Sequence, residues 1–178
     1  MRKMTLWAAV AAFALLGSAG NLSAQTRPFT IGISGGPSFP SGAEFSNEAN
    51  TGYHVQGSLG FAPAMLPVGV RADLLWQEFP DEHGGNFREI GGLANAILAL
   101  PLAIARPYLL GGIGAINHNP PDEEHGDHAH AEEGRTTSAF AVGGGIEFPF
   151  LGLSGVLEAR YLVAGEHRAV PISVGIRF

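Results

Sequence analysis

From Val170 to Phe178 the chain reads V-P-I-S-V-G-I-R-F. In an extended strand this puts Val170, Ile172, Val174, Ile176 and Phe178 on one face and Pro171, Ser173, Gly175 and Arg177 on the other. The same period of two recurs upstream. Tyr53, Val55, Leu59 and Phe61 alternate with His54, Gln56, Ser58 and Gly60. Val68, Val70, Leu74 and Trp76 alternate with Gly69, Arg71, Asp73 and Gln77, and Phe140, Val142, Ile146 and Phe148 with Ala141, Gly143, Gly145 and Glu147. Such alternation specifies strands with one apolar face and one small or polar face. With 46% apolar and only 15% charged residues, the chain spreads its apolar surface over one face of many strands. A barrel surrounded by lipid uses such a face, whereas a compact soluble domain has nowhere to hide it.

Turn signals divide the chain into eight strand-length segments, at about 28–38, 50–62, 67–79, 87–100, 106–117, 137–148, 153–164 and 170–178. Each is near the roughly 9–11 residues that a tilted transmembrane strand needs. Connections 63–66, 101–105 and 149–152 are short, whereas 39–49, 80–86, 118–136 and 165–169 are longer or more polar. Outer-membrane barrels keep short turns on the periplasmic side and longer loops outside. The parity therefore places both termini in the periplasm and loops 39–49, 80–86, 118–136 and 165–169 outside the cell. Ten of the 12 prolines fall at or beside strand ends, where a missing N–H costs least; Pro37 and Pro171 are the exceptions and are expected near the rim. Following each strand gives a periplasmic aromatic girdle of Phe29, Phe61, Tyr108, Phe148 and Phe178. An outer girdle comprises Tyr53, Trp76, Phe79, Phe140 and Tyr161. The fourth and fifth strands alternate too weakly to fix their facing. The fold class is all-β, an eight-stranded antiparallel up-and-down transmembrane β-barrel preceded by a cleavable signal peptide. A soluble β-sandwich or lipocalin-like barrel is the architectural rival.

The signal peptide is residues 1–24: a basic start at Arg2 and Lys3, an apolar run from Leu6 to Leu16, and small residues through Ala24. The run is too short to cross a membrane as a helix. Cleavage before Gln25 is expected, with cleavage before Gly20 as the alternative, leaving 25–178 as one barrel domain. The ten basic side chains, less Arg2 and Lys3, then stand against 16 acidic ones, a net charge of −8 that disfavours nucleic acid as a partner. The chain has no cysteine, which excludes disulfides, thiol nucleophiles and thiolate metal sites.

Arg71, Asp73, Glu147, Glu158, Arg160 and Arg177 fall on inward positions, three acids and three bases. An eight-stranded barrel is just wide enough for side chains to fill, so these groups are expected to pair across the lumen as an interior ion network. The barrel is thus porin-like in outline, with a plug in place of a water-filled pore. The balanced charges also argue against carboxylate acid–base chemistry of the glycosidase kind.

Loop 118–136 carries four histidines and six carboxylates between His118 and Glu133. Its plain reading is a solvated acidic connection. The alternative is weak, divalent-metal binding: neutral imidazole suits zinc, copper and nickel, and His118, His125, Asp127, His128 and His130 supply ligands that a loop can wrap round one ion. By topology His54, His83 and His167 also map to the outer end, so that all seven histidines would face the exterior.

Segments Gly69-Val70-Arg71-Ala72-Asp73-Leu74-Leu75, Pro107-Tyr108-Leu109-Leu110-Gly111-Gly112-Ile113-Gly114 and Gly143-Gly144-Gly145-Ile146-Glu147, with the aromatic terminal strand, carry a resemblance in their order and spacing. Together the mature region resembles the small bacterial outer-membrane β-barrel domain family. The resemblance implies an eight-stranded barrel inserted into outer-membrane lipid by the assembly machinery that reads a terminal aromatic strand; it implies no particular activity. Small barrels that deacylate lipid A look similar in outline, but their closely spaced His-x-Ser pair is missing here. The expectation is a non-enzymatic, monomeric envelope protein without a cofactor other than a loosely held divalent metal. It displays acidic, His-rich loops to a surface partner that the sequence does not name. A metal-binding surface protein acting through 118–134 and an outer-rim lipid A hydrolase are the alternatives.

Overall fold

A computed structural model describes residues 28–42, 49–63, 66–80, 86–100, 102, 105–119, 134–150 and 152–178. The segment 1–24, read as a signal peptide, lies outside them. Eight strands follow in order: β1 (Phe29–Ser41), β2 (Gly52–Phe61), β3 (Val68–Pro80), β4 (Asn86–Ala99), β5 (Arg106–Asn119), β6 (Arg135–Phe150), β7 (Leu153–Ala164) and β8 (His167–Arg177). Each pairs antiparallel with the next, and β8 returns to β1 to close the barrel. The closing register runs from Gly32 opposite Arg177 to Ser41 opposite Arg168. Closure leaves no unpaired edge, which is what a sheet needs if no water is present to satisfy its backbone.

The strands run further than the turn signals suggest at the end away from the chain termini. β1 continues through Ser41 because Phe39, Pro40 and Ser41 find partners in Val170, Ala169 and Arg168. β5 and β6 likewise take in His118 and Arg135, which face each other. Pro80 and Asn86, read as loop ends, are paired in β3 and β4. The expected loop 165–169 is corrected to a two-residue turn, Gly165-Glu166, with Ala164 opposite His167. Gly165 adopts φ +63°, a left-handed conformation open to glycine at no Cβ cost. Polar composition marks a connection without fixing where pairing stops. Pro37 and Pro171 both lie in that same half of the barrel, Pro37 opposite Tyr53 of β2 and Pro171 opposite Ser38 of β1.

The outer face is apolar round the barrel: Ile31, Leu59, Leu74, Leu109, Ile113, Val142, Leu157 and Val174 all stand exposed, Leu74 by 68%. A continuous apolar band of this kind exceeds what a soluble monomer displays. Phe29 and Phe61 pack at 4.9 Å near the terminus-bearing end, and Tyr53 and Trp76 at 5.4 Å towards the other. Two aromatics assigned to the girdles point inward instead. Tyr108, 4% exposed, shares the inner face of β5 with Leu110 and Ile116. Phe79, fully buried, packs against Ala49, Ala169 and Phe87. Phe79 has the parity of Arg71, Asp73 and Gln77, and the register keeps that parity to the end of β3.

Candidate functional site

The polar chemistry sits inside the barrel, in layers. At mid-height the Arg71 guanidinium donates to both Glu158 oxygens, at 2.8 and 3.1 Å, and to Asp73 at 3.1 and 3.2 Å. Arg160 lies 2.8 Å from Asp73 and 2.5 Å from Glu158. These four side chains are at most 2% exposed. Asn95 donates to Asp73 at 2.8 Å and Tyr108 to Glu158 at 2.5 Å. Buried charges persist only when paired and hydrogen-bonded, and here each carboxylate meets two guanidinium groups. Towards the termini Arg177 pairs with Glu147, stacks 5.2 Å from the Tyr108 ring centre, and lies 3.6 Å from Glu158. Arg106 reaches Glu147 at 3.6 Å.

The lumen is filled around this network. A cavity of about 130 Å³ opens at the terminus-bearing end, with Arg71, Arg106, Tyr108, Glu147 and Arg177 in its wall. Beyond it, a gap of about 10 Å³ remains beside Gln56, Ser58 and Glu158. That is at most the room of a single water.

A second cluster occupies the opposite end. Glu89 on β4 is 3% exposed. One of its oxygens faces two imidazoles, His118 Nδ1 at 2.8 Å and His167 Nδ1 at 2.7 Å. The other accepts from Gln77, which in turn takes a bond from Ser38 at 3.2 Å. His118 Nε2 meets Thr137 Oγ1 at 2.7 Å. Register explains the β4–β5 contact, since Glu89 sits opposite His118. His167, the first residue of β8, reaches the cluster across the lumen, with its ring 4.5 Å from that of His118 and 6.4 Å from Phe87.

All six residues assigned to the interior network are joined by these contacts. The loop set fares differently. His118 belongs to β5 and faces the lumen, which corrects its placement in a flexible loop, while His125, Asp127, His128 and His130 lie outside the described residues. So does His83. His54 is not an exterior histidine: it is 2% exposed inside β2, and its Nε2 lies 2.7 Å from Ser173 Oγ. Sequence reading passed over Asn95, Tyr108, Glu89 and Gln77 as network members. Three of them sit on β4 and β5, where Gly91, Gly92, Gly111, Gly112 and Gly114 blur the alternation. For Gln77 the inward parity was visible.

A closed eight-stranded antiparallel barrel, apolar outside and ion-paired inside, is the class these features define. Among solved structures the chain is similar to Neisserial surface protein A, with a TM-score of 0.64 at 15% identity, over 85% of this chain and 96% of that one. It is also similar to the N-terminal β-barrel domain of Pseudomonas aeruginosa OprF, with a TM-score of 0.51 at 15% identity, over 86% of this chain and 100% of that domain. The fold is therefore that of the small eight-stranded outer-membrane barrels. No protein-family model matches the chain, and no curated protein sequence matches it.

Proposed function

We propose that this chain is a non-enzymatic, monomeric protein of a bacterial outer membrane, held in lipid by its apolar band. In this reading both termini lie in the periplasm, and the ends of β1–β2, β3–β4, β5–β6 and β7–β8 face outward. The protein presents the acidic, His-rich stretch between Asn119 and Gly134 at the cell surface and is inserted by the outer-membrane assembly machinery. The observation that carries it is the inversion of ordinary polarity: exposed Leu74, Leu109 and Val174 on the outside, and buried Arg71, Asp73, Glu158 and Arg160 within. The filled lumen supports an anchoring and display role over conduction. The buried state of His54 and Ser173, both 2% exposed, speaks against their use as a hydrolytic pair, because an acyl substrate at the rim has no path to them. An epitope inserted between Gly126 and Asp127 tests the reading. Antibody labelling of intact cells is expected. Labelling only after the envelope is permeabilised would reverse the orientation.

A further inference from the structure

We propose that Glu89, His118 and His167 form a binding site for one divalent transition-metal ion, of the zinc type, at the mouth of the barrel away from the termini. Three observations converge on an ion. First, both Nδ1 atoms point at the same Glu89 oxygen, and all three donor atoms lie within 4.8 Å of one another. A tetrahedral ion with bonds of about 2.0–2.1 Å holds its ligand atoms roughly 3.3 Å apart. The two separations from Glu89, at 2.7 and 2.8 Å, need to open by only about half an ångström to admit one, and the two imidazole nitrogens already lie within 4.8 Å of each other.

Second, the ion pairs recorded for Glu89 are to imidazoles alone. Asp73, Glu147 and Glu158 each meet at least one arginine. Among the described residues Glu89 meets none, although it is as buried as Asp73 and Glu158 and more buried than Glu147. A carboxylate withdrawn from water needs a positive partner, and a cation between the two imidazoles supplies it. Third, the atoms of Glu89 and His118 that would not bind the ion are already held. Gln77 donates to the second Glu89 oxygen, and Thr137 Oγ1 sits on His118 Nε2. With Nδ1 on the ion, His118 carries its proton on Nε2 and donates it to Thr137, the arrangement that fixes the tautomer of a metal-bound histidine.

Two imidazoles and one carboxylate leave a fourth position for water, which fits zinc, copper or nickel better than calcium or magnesium. His167 is the open side of the site, its side chain 31% exposed against 13% for His118 and 4% for Glu89. The ligands come from β4 and β5 on one wall and β8 on the other, so the ion ties the two walls together. This set shares only His118 with the ligands His118, His125, Asp127, His128 and His130 expected from the sequence, and it does not depend on which way the barrel faces.

The test uses the full mature chain, refolded in detergent micelles, carrying His125→Ala, His128→Ala and His130→Ala so that the loop imidazoles cannot bind. Calorimetric titration with zinc is expected to give one ion per chain. Adding His167→Ala or Glu89→Gln should each weaken binding at least tenfold while the faster migration of the unheated barrel is retained. No zinc binding by the loop-substituted chain, or less than a twofold change with both added variants, would overturn the site. A second readout needs no further substitution at the site. Zinc should shift the imidazole ¹⁵N resonances of His118 and His167 and leave those of His54 in place; the reverse pattern contradicts the assignment.

Discussion

Replacing Arg71 by Met tests the interior network at its centre. The guanidinium makes four hydrogen bonds, two to Glu158 and two to Asp73, with its side chain 2% exposed. Methionine fills a similar volume and removes the charge, leaving Asp73 and Glu158 to share Arg160, with Arg177 a further 3.6 Å from Glu158. Removing one partner of a buried ion pair costs about 3–5 kcal/mol. Because Arg160 remains against both carboxylates, the lower end, about 3 kcal/mol, is expected. With a urea slope of about 2 kcal/mol/M, the unfolding midpoint should fall by about 1.5 M. Trp76, the one tryptophan left once residues 1–24 are removed, reports the transition by fluorescence in lipid vesicles. Glu158→Gln in the same chain removes the stranded charge, so the double variant should cost about 2 kcal/mol less than the sum of the two single ones. A loss under about 1 kcal/mol for Arg71→Met, or simple additivity in the cycle, would refute the claim that these charges hold one another in place.

Leu74→Arg puts a charge at the middle of the outward face of β3, and a loss of about 2–4 kcal/mol is expected by urea titration in vesicles. An unchanged midpoint would mean that Leu74 meets water. At Gly114 an added Cβ would run into the Gly92 carbonyl, whereas at Gly111 it would meet nothing within 4 Å. Gly114→Ala should therefore destabilise by about 1–3 kcal/mol and Gly111→Ala by under about 0.5 kcal/mol, a contrast that thermal unfolding followed by gel mobility will show or deny. In planar bilayers the folded chain should give no steady conductance, since the Arg71–Asp73–Glu158–Arg160 network fills the middle of the lumen, its four side chains at most 2% exposed. Open channels that persist in the wild-type chain would contradict that. Mass spectrometry of the envelope protein should find Gln25 as the first residue; a retained Met1 would exclude cleavage.

Much of the fold was legible because a period of two is a local signal. Asp73 inside and Leu74 outside follow from their neighbours alone, and β3, β6, β7 and β8 needed nothing more. In β4 and β5, glycine and alanine occupy both faces, so neither parity carries a contrast, and Tyr108 and Asn95 went unrecognised as lumen residues. The Glu89–His118–His167 cluster was hidden for another reason. Glu89 and His118 meet through the β4–β5 register, but His167 arrives from β8 across the lumen. That approach depends on barrel stagger, which no single segment encodes. The four residues His125, Asp127, His128 and His130 drew attention by density in the sequence, while the histidines that converge in space are 49 positions apart, at 118 and 167.

A barrel whose exposed face is apolar belongs in lipid, and fractionation of the cell envelope followed by gel mobility of the native chain tests this. Recovery in the outer-membrane fraction is expected, with faster migration on a denaturing gel when unheated than after boiling. A soluble monomer in the periplasmic fraction, migrating identically with and without heating, would contradict it.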